Sequence, residues 1–268
     1  MNFESPGTGV IGDYRLLTRV KSWLRYNASA IGVVVVLVVL WSVYARFLSP
    51  GGNNYFPSPL FTVTQTAAHF DSVLTSLRTT FTEVIAAFLL AILVGVVLGI
   101  VIEEVFVVRQ MSMPIIIFVY SIPQAILAPL FIIWFGTGLG GIAAFGTWVA
   151  FFPIFINTLT GMADIDVEYR QLCQVIGASR WQTLRYVKLW KALPHIASSI
   201  RVAVQLSIVG VIIAEFLATG QGLGYLIVSS TQNAQIGLTF GTVIMIMLFA
   251  SLFYKIVDVV LDTIVPPT

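Results

Sequence analysis

Residues 80–102 read TFTEVIAAFLLAILVGVVLGIVI, an apolar run whose one charged residue is Glu83. As an α-helix this run would extend about 35 Å, enough to cross a hydrocarbon layer of about 30 Å. Similar runs recur, and hydropathy predicts spans at 31–48, 80–102, 113–135, 139–160, 197–218 and 237–261. Because lipid offers no hydrogen bonds to the backbone, the sequence predicts an all-α membrane protein with six transmembrane helices.

The composition agrees with a membrane protein and argues against several classes of function. The chain is 58% hydrophobic and 10% charged, with a mean hydropathy of +0.95, whereas soluble domains carry about 25% charged residues. The net charge of +2 argues against a nucleic-acid partner. The single cysteine excludes an intrachain disulfide and a multi-cysteine metal site. The sequence shows no P-loop, carboxylate pair, Ser-His-Asp set or metal-ligand cluster, so we predict no catalytic residue, no metal site and no cofactor in this chain.

Basic residues predict the orientation. They concentrate before the first span, at 103–112 and at 161–196, whereas the intervening loops hold only Arg46 and Arg78 at membrane edges. Cytoplasmic loops are enriched in Lys and Arg. We therefore expect these segments and both termini to lie in the cytoplasm.

The 161–196 loop is the one long polar stretch between apolar segments, and it holds five of the 14 Lys and Arg. From Glu168 to Ile176 the apolar residues follow i, i+3, i+4, i+7 spacing, which predicts one stripe on a short helix. The stripe comprises Tyr169, Leu172, Cys173 and Ile176. A short apolar stripe projecting from the membrane favours docking into a partner's groove.

A second helix is predicted directly after this stripe. Gly177 stands where a helix C-cap needs positive φ, and Ser179 with Gln182 predicts a capping box. Pro194 predicts the end of this helix. Its basic face and its face rich in Trp and Tyr are equally consistent with a helix lying on an anionic lipid surface.

The segment Gly177-Ala178-Ser179-Arg180-Trp181, with Leu193-Pro194 after it, resembles the EAA loop of ABC-importer permeases. The resemblance covers about residues 70–260, and its further motifs are Ile122-Pro123, Ile133-Trp134-Phe135-Gly136, Phe152-Pro153-Ile154 with Asn157-Thr158, Ala214-Glu215 and Gly222-Leu223-Gly224-Tyr225-Leu226-Ile227. It is most similar to the nitrate/sulfonate/taurine-type subgroup. Two positions depart from the family pattern: Gln171-Leu172-Cys173 replaces the usual Glu-Ala-Ala, and Glu83 replaces a usual glycine.

The resemblance implies a type I ABC importer permease fold, with a cytoplasmic tail at 1–30 and a permease domain at 31–268. It implies that the 161–196 loop couples to an ATPase through Tyr169, Arg170, Leu172, Cys173, Gln174, Ile176, Gly177, Ala178 and Ser179. The implied partners are an ABC ATPase dimer that binds ATP and Mg²⁺, a second permease copy in a homodimer, an extracytoplasmic solute-binding protein and membrane lipid. The implied location is the inner membrane of a prokaryote.

Prolines and polar residues within the spans predict a translocation pathway. Three prolines interrupt the third span and Pro153 interrupts the fourth; such breaks persist where a helix lines a cavity or meets protein. The candidate pathway residues are Glu83, Tyr120, Ser121, Gln124, Asn157 and Glu215. Arg201 lies near the cytoplasmic end of its span, where we expect its side chain to snorkel.

Two alternatives stay open at this point. A secondary transporter would work alone, driven by an ion gradient through Glu83 or Glu215, and an intramembrane enzyme would need a catalytic constellation that the sequence does not show. The cargo is not predicted beyond the range of the subgroup, which comprises small anions and small aromatic compounds or vitamin precursors.

Overall fold

A computed structural model describes residues 32–47, 56–105, 114–116, 118–218 and 220–265, and every regular element in these ranges is helical. The predicted tail at 1–30 lies outside the described residues. The α-helices are α1 (Gly32–Phe47), α2 (Pro59–Ala68), α3 (Phe70–Glu104), α4 (Pro114–Tyr120), α5 (Ala128–Phe135), α6 (Leu139–Ala163), α7 (Val167–Val175), α8 (Arg180–Thr183), α9 (Leu189–Leu217), α10 (Leu223–Gln232) and α11 (Ile236–Ile264). A 3₁₀ turn, Gln124–Leu127, precedes α5, and a π-helical turn, Leu184–Lys188, joins α8 to α9.

Four of these helical stretches are long and apolar enough to cross a membrane. They are α3, α6, the run Arg180–Leu217 and α11. The stretch from α4 to α5 bends by 77° and is a fifth candidate if both arms form one span. At 16 residues α1 is shorter, so the sixth span stays a prediction.

The chain divides into two compact units, residues 1–64 and 65–268. In the first, the indole Nε1 of Trp41 donates to the carbonyl of Pro57 at 2.9 Å, and the Tyr44 and Phe56 rings meet edge to face. In the second, α3 and α9 both pack along α6, and their shared core includes Val84, Phe145 and Val211.

Small residues let these three helices approach closely. A Cβ on Gly95 would stand 2.9 Å from Ile154 Cγ2, and one on Gly99 would stand 2.7 Å from Thr158 Cβ. On α9, Ser199, Ala203 and Ser207 are all buried. This close approach stabilises the bundle, because dispersion contacts rather than water exclusion hold helices together in lipid.

The structure corrects two predictions about prolines. The helix α6 runs through Pro153 without a break, and α9 runs through Pro194 rather than ending there. Each proline leaves one carbonyl without its helical donor. Buried neighbours on both sides hold the helix nonetheless: Phe152 and Ile154 around Pro153, and Ala192 and Ile196 around Pro194. The predicted break in the third span is present at Pro123.

Arg201 does not simply snorkel. Its Nε donates to Asp258 at 2.9 Å, and its Nη2 donates to Asp262 at 2.5 Å. Both acids lie on α11, one turn apart, so this arginine ties α9 to α11. The sequence reading missed these two partners.

Candidate functional site

An exposed apolar ridge lies on α7. Tyr169, Leu172, Val175 and Ile176 are 43%, 55%, 84% and 67% exposed, and we call these four residues the docking ridge. Cys173 is buried rather than presented with them, and Val175 takes part although the predicted stripe omitted it. The difference arises because Cys173 faces the groove between α7 and the following helix, where it lines a cavity of about 340 Å³.

Local sequence fixes the shape of this loop. Gly177 has φ of +66°, and the N–H groups of Gly177 and Ala178 donate to the carbonyls of Gln174 and Cys173. That pair of bonds is a Schellman motif. Ser179 and Gln182 form the predicted capping box at the start of α8. Both ends of the turn are thus satisfied by hydrogen bonds, and the angle between α7 and α8 is set by short-range contacts.

Ion pairs connect α7 to α9, and α9 to α3. Lys191 on α9 donates to Asp166, at the start of α7, at 3.0 Å and lies 4.6 Å from the centroid of the Tyr169 ring. Lys188, at the start of α9, donates to Glu104 in the last turn of α3 at 2.6 Å. A displacement of α7 would therefore be passed to α9 directly and to α3 through the start of α9. The sequence reading named neither Asp166 nor Glu104.

The other predicted loop residues lie as follows. Gln174, Gly177 and Ser179 are exposed and Ala178 is half-buried. The side chain of Arg170 lies outside the described part of the chain.

Two predicted pathway residues meet at the opposite end of the bundle. Glu83 on α3 and Glu215 on α9 are 3% and 0% exposed, and their carboxyl groups are hydrogen-bonding neighbours. This is the carboxylate pair that the sequence reading did not expect. Two ionised carboxyl groups in contact at a buried site would be costly, because adjacent negative charges without solvent repel each other strongly.

Glu215 is held by donors from two other helices. The hydroxyl of Thr80 donates to Glu215 Oε1 at 2.6 Å, and the backbone N–H of Gly224 donates to Oε2 at 2.5 Å. Thr80 in turn accepts from the N–H of Leu223 at 2.8 Å. The orphan N–H groups at the start of α10 thus find their acceptors on α3 and α9.

Glycines make room for this carboxylate. A Cβ on Gly222, which has φ of +100°, would overlap the Glu215 carboxyl, and one on Gly224 would stand 2.8 Å from the Cβ of Glu215. The segment 220–224 is therefore a turn shaped around a buried acid. Thr80, which completes the site, carried no signal in the sequence.

The remaining candidate pathway residues do not join this site. The Tyr120 ring lies 5.4 Å from that of Phe152, and Asn157 donates to the carbonyl of Pro153 on its own helix. Ser121 is exposed and Gln124 is half-buried. Within the described ranges no group of three or more His, Cys, Asp or Glu is placed to hold a metal ion.

Residues 91–267 match the family described as the binding-protein-dependent transport system inner membrane component. The chain belongs to this family of ABC importer permeases. Its several apolar helices agree with a multi-pass membrane protein, and members of the family work with an ATPase and a separate binding protein.

Individual relatives cover most of the chain. The riboflavin transport system permease protein of Chloroflexus aurantiacus is 34% identical over 217 residues, which are 80% of this chain and 81% of the relative. The formylaminopyrimidine transport permease protein of Halalkalibacterium halodurans is 28% identical over 71% of this chain and 76% of its own length. The taurine transport system permease protein of Escherichia coli is 27% identical over 78% of each.

Proposed function

We propose that this chain is the translocation subunit of an ATP-driven importer and that its docking ridge binds an ATPase subunit. The observation that carries the proposal is the ridge itself. It exposes four apolar side chains on a short helix whose ends are fixed by a Schellman motif and a capping box. A rigid apolar helix of this kind suits the groove of a partner protein better than a lipid surface.

The same contacts supply a mechanism for coupling. ATP and Mg²⁺ would bind in the ATPase subunits, whose closure would displace α7. Lys191 would then pass the displacement to α9, which carries Glu215, and Lys188 at the start of α9 would pass it on to α3, which carries Glu83. A rigid-body shift of packed helices between two arrangements is how such proteins alternate access.

The assembly proposed is that of the family. Two copies of the chain would pair around a pathway, with α1 as a sixth span in a type I importer fold and lipid around it. An ATPase dimer would bind the 161–196 loop in the cytoplasm, where both termini would lie, and a binding protein would deliver cargo on the opposite face of a prokaryotic inner membrane. The basic residues concentrated at the loop end support this orientation.

The cargo proposed is a small solute. The relatives are named for riboflavin, formylaminopyrimidine and taurine, and others for aliphatic sulfonates and nitrate. The pathway residues proposed remain Glu83, Tyr120, Ser121, Gln124, Asn157 and Glu215. Of these, Glu83 lines a cavity at the end of the bundle that would face the binding protein.

Substitution of Gly177 tests the coupling role. At φ of +66° a side chain is strained, although nothing lies within 4 Å of the added Cβ. We expect Gly177→Val and Gly177→Asp to change the angle between α7 and α8 and to lower ATP-driven uptake into proteoliposomes by at least about tenfold, or to release the ATPase during copurification. The intact chain would still insert, because the strain is local and solvent-facing.

Gly136→Val is the matched control. Gly136 also has positive φ, +85°, with nothing within 4 Å of its Cβ, but it lies at the end of α5. This variant should retain the ATPase. Normal uptake by both Gly177 variants in an intact complex would reject the coupling role.

A gradient-driven secondary transporter is the second candidate, and the buried Glu83–Glu215 pair is the observation that favours it. A buried carboxyl pair can load and release a proton during a transport cycle. Purification decides between the two functions. A stoichiometric ATPase and uptake that requires ATP support the first, whereas uptake by the purified chain alone under a proton gradient supports the second.

A further inference from the structure

A polar stripe runs along the first turns of α3. Asp71, Thr75, Thr79 and Glu83 recur every four residues, and Ser72 and Ser76 directly follow the first two of them, so they share one side of the helix. From Asp71 to Glu83 the stripe extends about 18 Å at a helical rise of 1.5 Å per residue. This stripe forms a polar track with a carboxyl group at each end.

Two cavities flank this track. One of about 490 Å³ is lined by Glu83, Thr79, Thr82, Thr137 and Gln221, and one of about 510 Å³ is lined by Asp71, Thr75, Thr79 and Gln221. Thr79, Gly220 and Gln221 belong to both linings. The two spaces are therefore neighbours, and each is large enough for a small solute.

Glu83 is the buried polar group of this space. Its side chain is 3% exposed, and, apart from the neighbouring Glu215 carboxyl, no described group donates a hydrogen bond to Oε2. The group beside it is the carboxyl of Glu215, which already accepts from Thr80 and Gly224. A buried carboxyl oxygen without a donor is costly, and a ligand that donates to it would recover that cost.

The charged groups around the two cavities determine which ligand charge the site favours. Within the described residues, neither lining includes a Lys, Arg or His. Arg78 lines a different, apolar groove, with Phe81 and Phe249. The opposing feature is the N-terminus of α6, where a helix carries about half a positive charge; its residues Leu139 and Ile142 belong to the lining of the Glu83 cavity. The two linings include the acidic side chains of Asp71 and Glu83 and no described basic side chain, so the field at the cavity is negative.

We propose that this cavity is a solute site for cationic or neutral nitrogen-containing compounds that donate hydrogen bonds, such as amidines and amides, and that it rejects strong-acid anions. This inference rests on the proposed transport function only for its physiological role. Glu83 accepts from the solute, and the hydroxyls of Thr79 and Thr82 and the amide of Gln221 orient it. The acidic side chains of Glu83 and Asp71 disfavour anions.

Cysteine accessibility tests the charge without knowledge of the cargo. In the full-length chain carrying Cys173→Ala, which removes the one native thiol, Thr79→Cys is treated in membranes with methanethiosulfonates bearing either trimethylammonium or sulfonate. The ratio of the two rates is divided by the same ratio at Gln235→Cys, an exposed position between α10 and α11. We expect the normalised cationic preference to be about tenfold, as one nearby charge in a partly desolvated site produces.

Adding Asp71→Asn together with Glu83→Gln should bring that preference down by about threefold or more, because the two substitutions remove both acidic side chains from the linings. Asp164→Asn, an exposed acid after α6, is the matched control and should leave the preference unchanged. A normalised ratio near one, or a ratio indifferent to the combined substitution, would overturn the proposal.

Protection from the reagents tests the ligand class. Benzamidine, benzamide and benzenesulfonate share a ring and differ in charge and donors. We expect the first two to slow labelling of Thr79→Cys and the third to leave it unchanged, and protection by benzenesulfonate, or by none of the three, would contradict the proposal. Because labelling requires neither ATP nor an ATPase, these results stand or fall separately from ATP-driven uptake.

Discussion

The two ends of the bundle differ in how deeply their polar residues are buried and in the interactions that hold them. At one end, Glu83, Thr80 and Glu215 are almost fully buried and joined by short hydrogen bonds that involve three helices. At the other end, the docking ridge is exposed and is held to the bundle by ion pairs whose side chains are a fifth to more than half exposed. The same two helices, α3 and α9, contribute to both ends.

The difference indicates which end can move. Buried polar networks in lipid tolerate little displacement, because each lost hydrogen bond leaves an unsatisfied group in a low-dielectric medium. Partly solvated ion pairs exchange partners with water at little cost. The loop end can therefore be displaced at little cost in free energy, whereas rearrangement of the carboxyl end requires an input of free energy.

The largest effect should come from Gly222→Ala at the carboxyl end. The added Cβ would overlap the Glu215 carboxyl at a backbone φ of +100°, so overpacking and strain add, and we expect a loss of about 3 kcal/mol of stability. Thermal unfolding of the full-length chain in nanodiscs measures it.

Gly220→Ala separates the two causes. Gly220 has φ of +123° but nothing within 4 Å of its Cβ, so this variant carries backbone strain without overlap. We expect it to lower the melting temperature less than Gly222→Ala does, and Glu215→Ala should partly rescue Gly222→Ala. Equal losses in the two glycine variants would mean that the carboxyl site is less tightly packed than the structure indicates.

An intermediate effect should come from Gly161→Ala, where α6 meets α9 near the loop. A Cβ at this position would stand 2.8 Å from His195 Cβ and 3.2 Å from Ala192 Cα, so the helices must separate slightly. We expect a loss of about 1–2 kcal/mol, measured by the same unfolding. Gly140→Ala, whose Cβ would meet its nearest atom at an ordinary 3.6 Å, should be neutral or stabilising.

Sequence reasoning succeeded at the loop end because its determinants are local. The positive φ of Gly177 and the Ser179–Gln182 capping box depend on residues within a few positions of each other, and both are present. The apolar period found three of the four ridge residues. It also placed Cys173 among them, since a helical stripe does not reveal which of its edges the next helix covers.

The carboxyl end could not be predicted in the same way. Thr80 and Glu215 are 135 positions apart, and no spacing rule brings them together. The sequence identified Glu83 and Glu215 as candidate pathway residues but did not pair them. The predictions for Pro153 and Pro194 were wrong for a related reason. Whether a proline breaks a helix depends on the packing around it, and that packing exists only in the assembled bundle.

The smallest effect should distinguish the two ion pairs of the loop end. The side chains of Lys188 and Glu104 are 22% and 27% exposed, and those of Lys191 and Asp166 are 41% and 57% exposed. A double-mutant cycle with Lys188→Met and Glu104→Gln should give a coupling of about 0.5–1 kcal/mol in unfolding. The matched cycle with Lys191→Met and Asp166→Asn should give a smaller coupling, because water screens it more.

High salt provides the control for both cycles. The Debye length falls to about 3 Å at 1 M salt, so screening should reduce the coupling energy of the more exposed pair first.

Uptake measurements then test whether the ion pairs of the loop end transmit the motion of α7. If they do, Lys188→Met should lower the uptake obtained per ATP hydrolysed while barely changing stability, because Lys188 joins the loop to the last turn of α3. Equal coupling in both cycles with unaltered uptake per ATP would place the transmission in the apolar contacts of Met162, Leu184 and Ile196 instead.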